Sequence, residues 1–265
     1  MGEVAVLLFW PALAGYAEAA VAYAGDTVRP GRLVRYAIWG VRLGWLAQTA
    51  LLVAQAADAD GFPWGSWPAS LNLFVWMCVG TYLIWGCRAP FRLLGLAVMP
   101  LAAVLLALSW AAGGVAEPAR REFGDVFLGF HVGLILAAFA GFTLAAALAA
   151  LYLWQERRLK RRAPRVLRLL SPSLESLDRL TVRTVAVALP ALTLGIGIGL
   201  ARLRSEGAGF DAIMGLTLLT WLVYAAFLVL RWEAGWRGRR TAYLALAGFL
   251  LVVLVRVVLT PFVHF

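Results

Sequence analysis

Apolar runs of about 20 residues, each closed by a polar or charged cluster, recur from one end of the chain to the other. An α-helix rises 1.5 Å per residue, so about 20 apolar residues cross the hydrocarbon core of a bilayer. The runs and their breaks predict eight helices, at about 3–24, 34–57, 69–87, 93–112, 126–154, 180–202, 211–231 and 241–263. The fifth is the longest uninterrupted one. It carries no charge from Val126 to Trp154, and the basic run Arg157 to Arg162 follows it. Gly133, Ala137, Ala138, Gly141 and Ala145 to Ala147 are small, which predicts close approach to a neighbouring helix.

The breaks add detail. Ser171-Pro172 reads as an N-cap followed by a proline at the first helical position, so SPSLESLDRL predicts a short helix leading into the sixth span. Pro190 predicts a kink within that span. The run GIGIGL at Gly195, Gly197 and Gly199 follows no strand, so it is not a dinucleotide fingerprint. Gly195 and Gly199 instead have the spacing of close helix packing in lipid.

Composition agrees with the pattern. The 265 residues are 63% hydrophobic, more than a soluble domain of this length can cover. The expected fold is all-α: a polytopic transmembrane helical bundle, 1–265, in one domain. The net charge of +10 does not imply nucleic acid here, because the basic residues sit in short loops. They cluster after helices 1, 3, 5 and 7, with the strongest set in the 155–180 loop, which places those loops inside and both termini outside. Cys78 and Cys87 fall on one predicted helix with no CxxC, so no thiol-redox or cysteine-metal motif is read. MGEVAVLLFWP lacks a basic n-region and is expected to remain as a helix. Val6 occupies the place where a myristoylation signal wants Ser or Thr.

The chain has only two histidines, His131 and His264. The topology puts both near the outer ends of their helices. From its position His131 reads as a ligand, a hydrogen-bonded interface residue or a proton carrier. If helices 5 and 8 are neighbours, the pair is placed to take an iron from both sides, as axial ligands of a haem. Arg256, Arg202 and Arg204 lie toward the same side and suit haem propionates, with snorkelling to headgroups the plainer reading of Arg204. Arg42, Gln48 and Gln55 on helix 2 suggest either a polar seam or ordinary interhelical hydrogen bonds. Glu18 reads as interfacial. The 12 tryptophans cluster at helix ends as an aromatic belt, although Trp64, Trp67 and Trp76 have the alternative of sheltering a flat cofactor.

The segments HVGLILAAFAGFTLAAALAALYLWQERRLKRR, SPSLESLDRLTVRTVAVALPALTLGIGIG and LTWLVYAAFLVLRWEAGWRGRRTAYLALAGF resemble the cytochrome c assembly protein family. That family includes CcsA, CcmC and the HemX-like membrane proteins. The similarity covers roughly 62–265, and the chain is most similar to the HemX-like eight-helix branch. The resemblance implies a multi-pass protein of the bacterial inner membrane that binds haem at the outer face, with His131 and His264 as iron ligands and no catalytic residues. It implies a part in cytochrome c biogenesis or haem homeostasis, and as partners other cytochrome c assembly proteins or glutamyl-tRNA reductase. The family's tryptophan-rich WGxxWxWD segment is replaced here by ARLRSEGAGFDAIMG, and Ala69 stands where HemX-like relatives carry Glu. The alternatives are a haem exporter or transporter subunit, and a non-haem membrane scaffold or regulator of tetrapyrrole synthesis.

Overall fold

A backbone in hydrocarbon has no water to bond, so each span must satisfy its own amides and carbonyls, and an α-helix does this within one segment. The computed structural model describes residues 2–28, 31–59, 62–85, 92–115, 126–160, 172–206 and 211–255. They form eight helices: α1 (Gly2–Val28), α2 (Val34–Asp58), α3 (Trp67–Trp85), α4 (Arg92–Ala111), α5 (Val126–Lys160), α6 (Leu174–Glu206), α7 (Ala212–Trp232) and α8 (Arg239–Val253). Among the described residues there is no strand. Seven of the helices are long and apolar enough to cross a membrane. The described part of α8 is 15 residues. The protein is a polytopic transmembrane helical protein, as its apolar runs predict.

The helices fall into two compact units, residues 1–124 and 125–265. In the first, α1 packs on α2 and α4, and α3 completes the ring against α4 and α2. Glycine sets the spacing of α1 and α2. A Cβ built on Gly15 would lie 2.7 Å from the Gly40 carbonyl oxygen and 2.8 Å from Gly44 Cα. Only bare backbone fits there. At one end of this unit Phe9 stacks on Trp110 at 5.5 Å between ring centres, and Trp10 leans on the same indole.

In the second unit α5 packs on α6 and α8, and α7 lies against α6 and α8. Of the small residues expected to pack closely, Ala138, Gly141, Ala145 and Ala146 are buried and Ala137 is exposed. On the α6 side a Cβ on Gly141 would meet Ala188 Cβ at 2.8 Å. Gly133, by contrast, faces open space. At mid-height Phe142 stacks on Tyr224 with ring centres 3.7 Å apart, and the tyrosine hydroxyl donates to the Ala245 carbonyl at 3.1 Å.

Two expectations change. The helix begun by SPSLESLDRL is not separate from the sixth span; α6 runs unbroken over 33 residues. Its cap is also two residues later than expected. Ser173 Oγ accepts the Ser176 amide at 3.1 Å, the N-cap to N3 bond that opens a helix. Leu177, Leu180 and Thr181 then continue the buried face without a breaker, so nothing ends the helix before the membrane.

Candidate functional site

His131 lies just over a turn inside the start of α5, half-buried against α6. Its Nδ1 is 2.7 Å from the backbone carbonyl oxygen of Gly195. A carbonyl oxygen only accepts, so this bond requires the proton on Nδ1, and in the neutral ring the lone pair is then on Nε2. The ring lies over Gly199, where a Cβ would meet Cε1 at 2.6 Å and Nδ1 at 3.1 Å. One turn along, a Cβ on Gly195 would meet Ile135 Cγ1 at 2.9 Å. Gly195 and Gly199 thus provide close packing as their spacing predicts, and what they accommodate is the imidazole and the residue one turn after it.

An imidazole that donates one N–H to a backbone carbonyl is held as metal-ligating histidines are held, with ring orientation and tautomer set by the bond opposite the metal. The donor type and its support therefore fit haem iron. Arg202 follows Gly199 by three residues on α6, within the same helix that supports His131, and its side chain lies outside the described residues. His264 and Arg256 also lie outside them, as does Arg204's side chain. The packing of α5 on α8 required by the two-histidine reading is present. Glu156 near the end of α5 pairs with Arg239 at the start of α8 at 3.3 Å, and α8 runs from there toward the end of α5 that bears His131.

At the opposite end of this unit Asp178 gathers three elements. It accepts from Arg231 at 2.6 Å, from the Gly238 amide at 3.1 Å and from Thr241 Oγ1 at 3.2 Å. Arg231 also donates to the Trp236 carbonyl at 2.9 Å. The turn between α7 and α8 is possible because Gly235 and Gly238 take φ of 63° and 69°. A cavity of about 600 Å³ opens beside this knot, lined among others by Tyr152, Glu156, Trp236, Arg239 and Arg240. Asp178 escaped the sequence reading because its partners are 53 to 63 residues away.

The polar residues of α2 divide between two faces. Gln48 and Gln55 are buried and bonded across helices, whereas Arg42 is exposed, its guanidinium 5.8 Å from the Trp39 ring centre. Tyr16 donates to Gln48 Oε1 at 2.5 Å, and Gln48 Nε2 donates to Asn72 Oδ1 at 2.8 Å. Asn72 and Trp64 both donate to Gln55 Oε1, each at 3.3 Å, and Gln55 Nε2 donates to the Gly114 carbonyl at 2.9 Å. The glutamines thus form interhelical hydrogen bonds and do not share a face with Arg42. Trp76 stacks on Trp45 at 5.3 Å and donates to Thr49 at 2.8 Å. Trp64 and Trp76 are therefore engaged in packing and hydrogen bonding within the first unit.

Eight helices, seven of them long and apolar enough to cross a membrane, define a multi-pass membrane protein in which His131 is held between two of them. The model of the family described as cytochrome C assembly protein matches residues 64–260, and the chain belongs to that family. It is 29% identical over 248 residues to the cytochrome c biogenesis protein CcsA of Prochlorococcus marinus (strain MIT 9303), covering 80% of this chain and 77% of the relative. To CcsA of Guillardia theta it is 28% identical, with 79% and 77% covered, and to CcsA of Microcystis aeruginosa 26%, with 80% of each covered. No solved structure matches the chain.

Proposed function

We propose that this protein binds haem as cargo at the outer membrane face and serves cytochrome c biogenesis or haem homeostasis, as a HemX-like member of its family. The observation that carries the reading is the bond from His131 Nδ1 to the Gly195 carbonyl, which leaves the lone pair on Nε2 of an imidazole near a helix end. Family membership and the relation to cytochrome c biogenesis proteins named CcsA support haem as the ligand. His131 and His264 hold the iron in this reading, and Arg202 and Arg256 meet the propionates. Charge-assisted bonds from guanidinium to carboxylate are well suited to that task. The placement outside follows from the basic clusters after helices 1, 3, 5 and 7.

The test is an absorption spectrum of the detergent-purified protein, oxidised and reduced, beside His131→Ala and His264→Ala. A sharp reduced spectrum of the bis-imidazole type, lost in either variant, is expected. A wild-type protein that takes up no haem even when haem is added back would overturn the reading.

A further inference from the structure

Gly199 does more than let two helices approach. In an α-helix the amide of residue i bonds the carbonyl of i−4, and side chains lean back over the preceding turn. A side chain at 199 would therefore lie over the carbonyl of Gly195. With none there, that oxygen is open from the side of the helix, and His131 Nδ1 reaches it at 2.7 Å. The same missing side chain is the space the imidazole occupies, since a Cβ on Gly199 would come within 2.6 Å of Cε1. The neighbouring glycines differ. Gly195 faces Ile135, with the nearest contact of an added Cβ at 2.9 Å, and Gly197 faces nothing within 4 Å.

We propose that Gly199 and the Gly195 carbonyl form a lock that holds the His131 ring in one orientation and one tautomer, Nδ1–H, so that Nε2 is the nitrogen presented to a metal. Gly199 is a positioning residue in this scheme and touches no ligand itself. The lock belongs to the apoprotein; its use as a haem device rests on the function proposed above.

The chain has two histidines, so uniform labelling with 15N-histidine yields two ring spin systems, and His264→Gln leaves that of His131 alone. Two-bond proton–nitrogen correlation spectra of the apoprotein in mildly alkaline detergent buffer read the tautomer directly. Wild type and Gly197→Ala are expected to show Nδ1 protonated. Gly195→Ala crowds Ile135 but keeps the carbonyl, and is expected to show the same. Gly199→Ala is expected to lose the Nδ1–H form for a mixture rich in Nε2–H. Nε2–H in the wild type would overturn the lock whatever the variants do. An unchanged tautomer in folded Gly199→Ala, or equal loss in Gly195→Ala, would also overturn it. Haem titration then separates the two proposals. With the haem reading correct, Gly199→Ala weakens haem binding about 10- to 100-fold, the usual effect of removing the support of a metal-bound histidine. A wild type with the Nδ1–H form but no affinity for haem would leave the lock standing and remove its proposed use.

Discussion

Gly15 and Gly40 face each other across α1 and α2 so closely that a Cβ on either would lie 2.7 to 2.8 Å from the other's carbonyl oxygen. Backbone cannot move aside as a flexible side chain can. Gly40→Ala is therefore expected to push the helices apart and cost about 1–3 kcal/mol, the usual penalty of overpacking. Gly133→Ala is the matched comparison, because its Cβ meets open space; its effect is expected within about 0.5 kcal/mol. Thermal unfolding of the two variants in the same detergent distinguishes them, and equal midpoints would show that α1 and α2 are not held at backbone contact.

Asp178 ties together α6, the turn before α8 and α8 itself, with its side chain 12% exposed and that of Arg231 15%. Removing the carboxylate leaves a mostly buried guanidinium without its counter-ion, which costs about 3–5 kcal/mol. Asp178→Ala and Arg231→Ala are expected to lower the unfolding midpoint by similar amounts, and the double variant by less than their sum. Strict additivity would mean that the two side chains act independently.

A chain of bonds through Tyr16, Gln48, Asn72 and Gln55 runs through the first unit's interior. Hydrogen bonds between membrane helices are individually modest, about 0.6 kcal/mol on average and at most about 2. Gln48→Leu is expected to fall in that range if its partners find other bonds. A double-mutant cycle between Gln48 and Asn72 should return a coupling of about 0.5–1.5 kcal/mol, and zero coupling would show that the 2.8 Å bond adds nothing.

His131 contributes to its helix pair as well as to any ligand. His131→Phe keeps an aromatic ring over Gly199 but loses the bond to Gly195. The expected outcome is a folded protein, destabilised by about 1 kcal/mol, with haem uptake abolished. Retention of haem at wild-type level would remove His131 from the site.

The sequence by itself determined the membrane-spanning class, the number of helices and most of their limits. The reason is that hydrocarbon demands a long apolar run wherever the backbone crosses, and a run is legible residue by residue. The bounds of α5 agree within a few residues with those read from the charge-free stretch ending at Trp154 and the basic run after it. Gly195 and Gly199 could likewise be marked as a packing pair from their spacing alone.

Only the tertiary structure decided what those marks meant. Gly40 and Gly44 have the same spacing on α2 and drew no notice, because a small pair acquires its role from the helix that lies across it. That Gly199 underlies His131, 68 positions earlier, depends on the antiparallel register of α5 on α6, which propensity and hydropathy do not specify. Gln48 and Gln55 share a face in either reading. Only their neighbours show that they bond Tyr16, Asn72 and Gly114, with Arg42 on the exposed side. The three partners of Asp178 come together only when α6, α7 and α8 do. A single chain position records how apolar a residue is. Which backbone atom it meets is set by the packing of helices far apart in sequence.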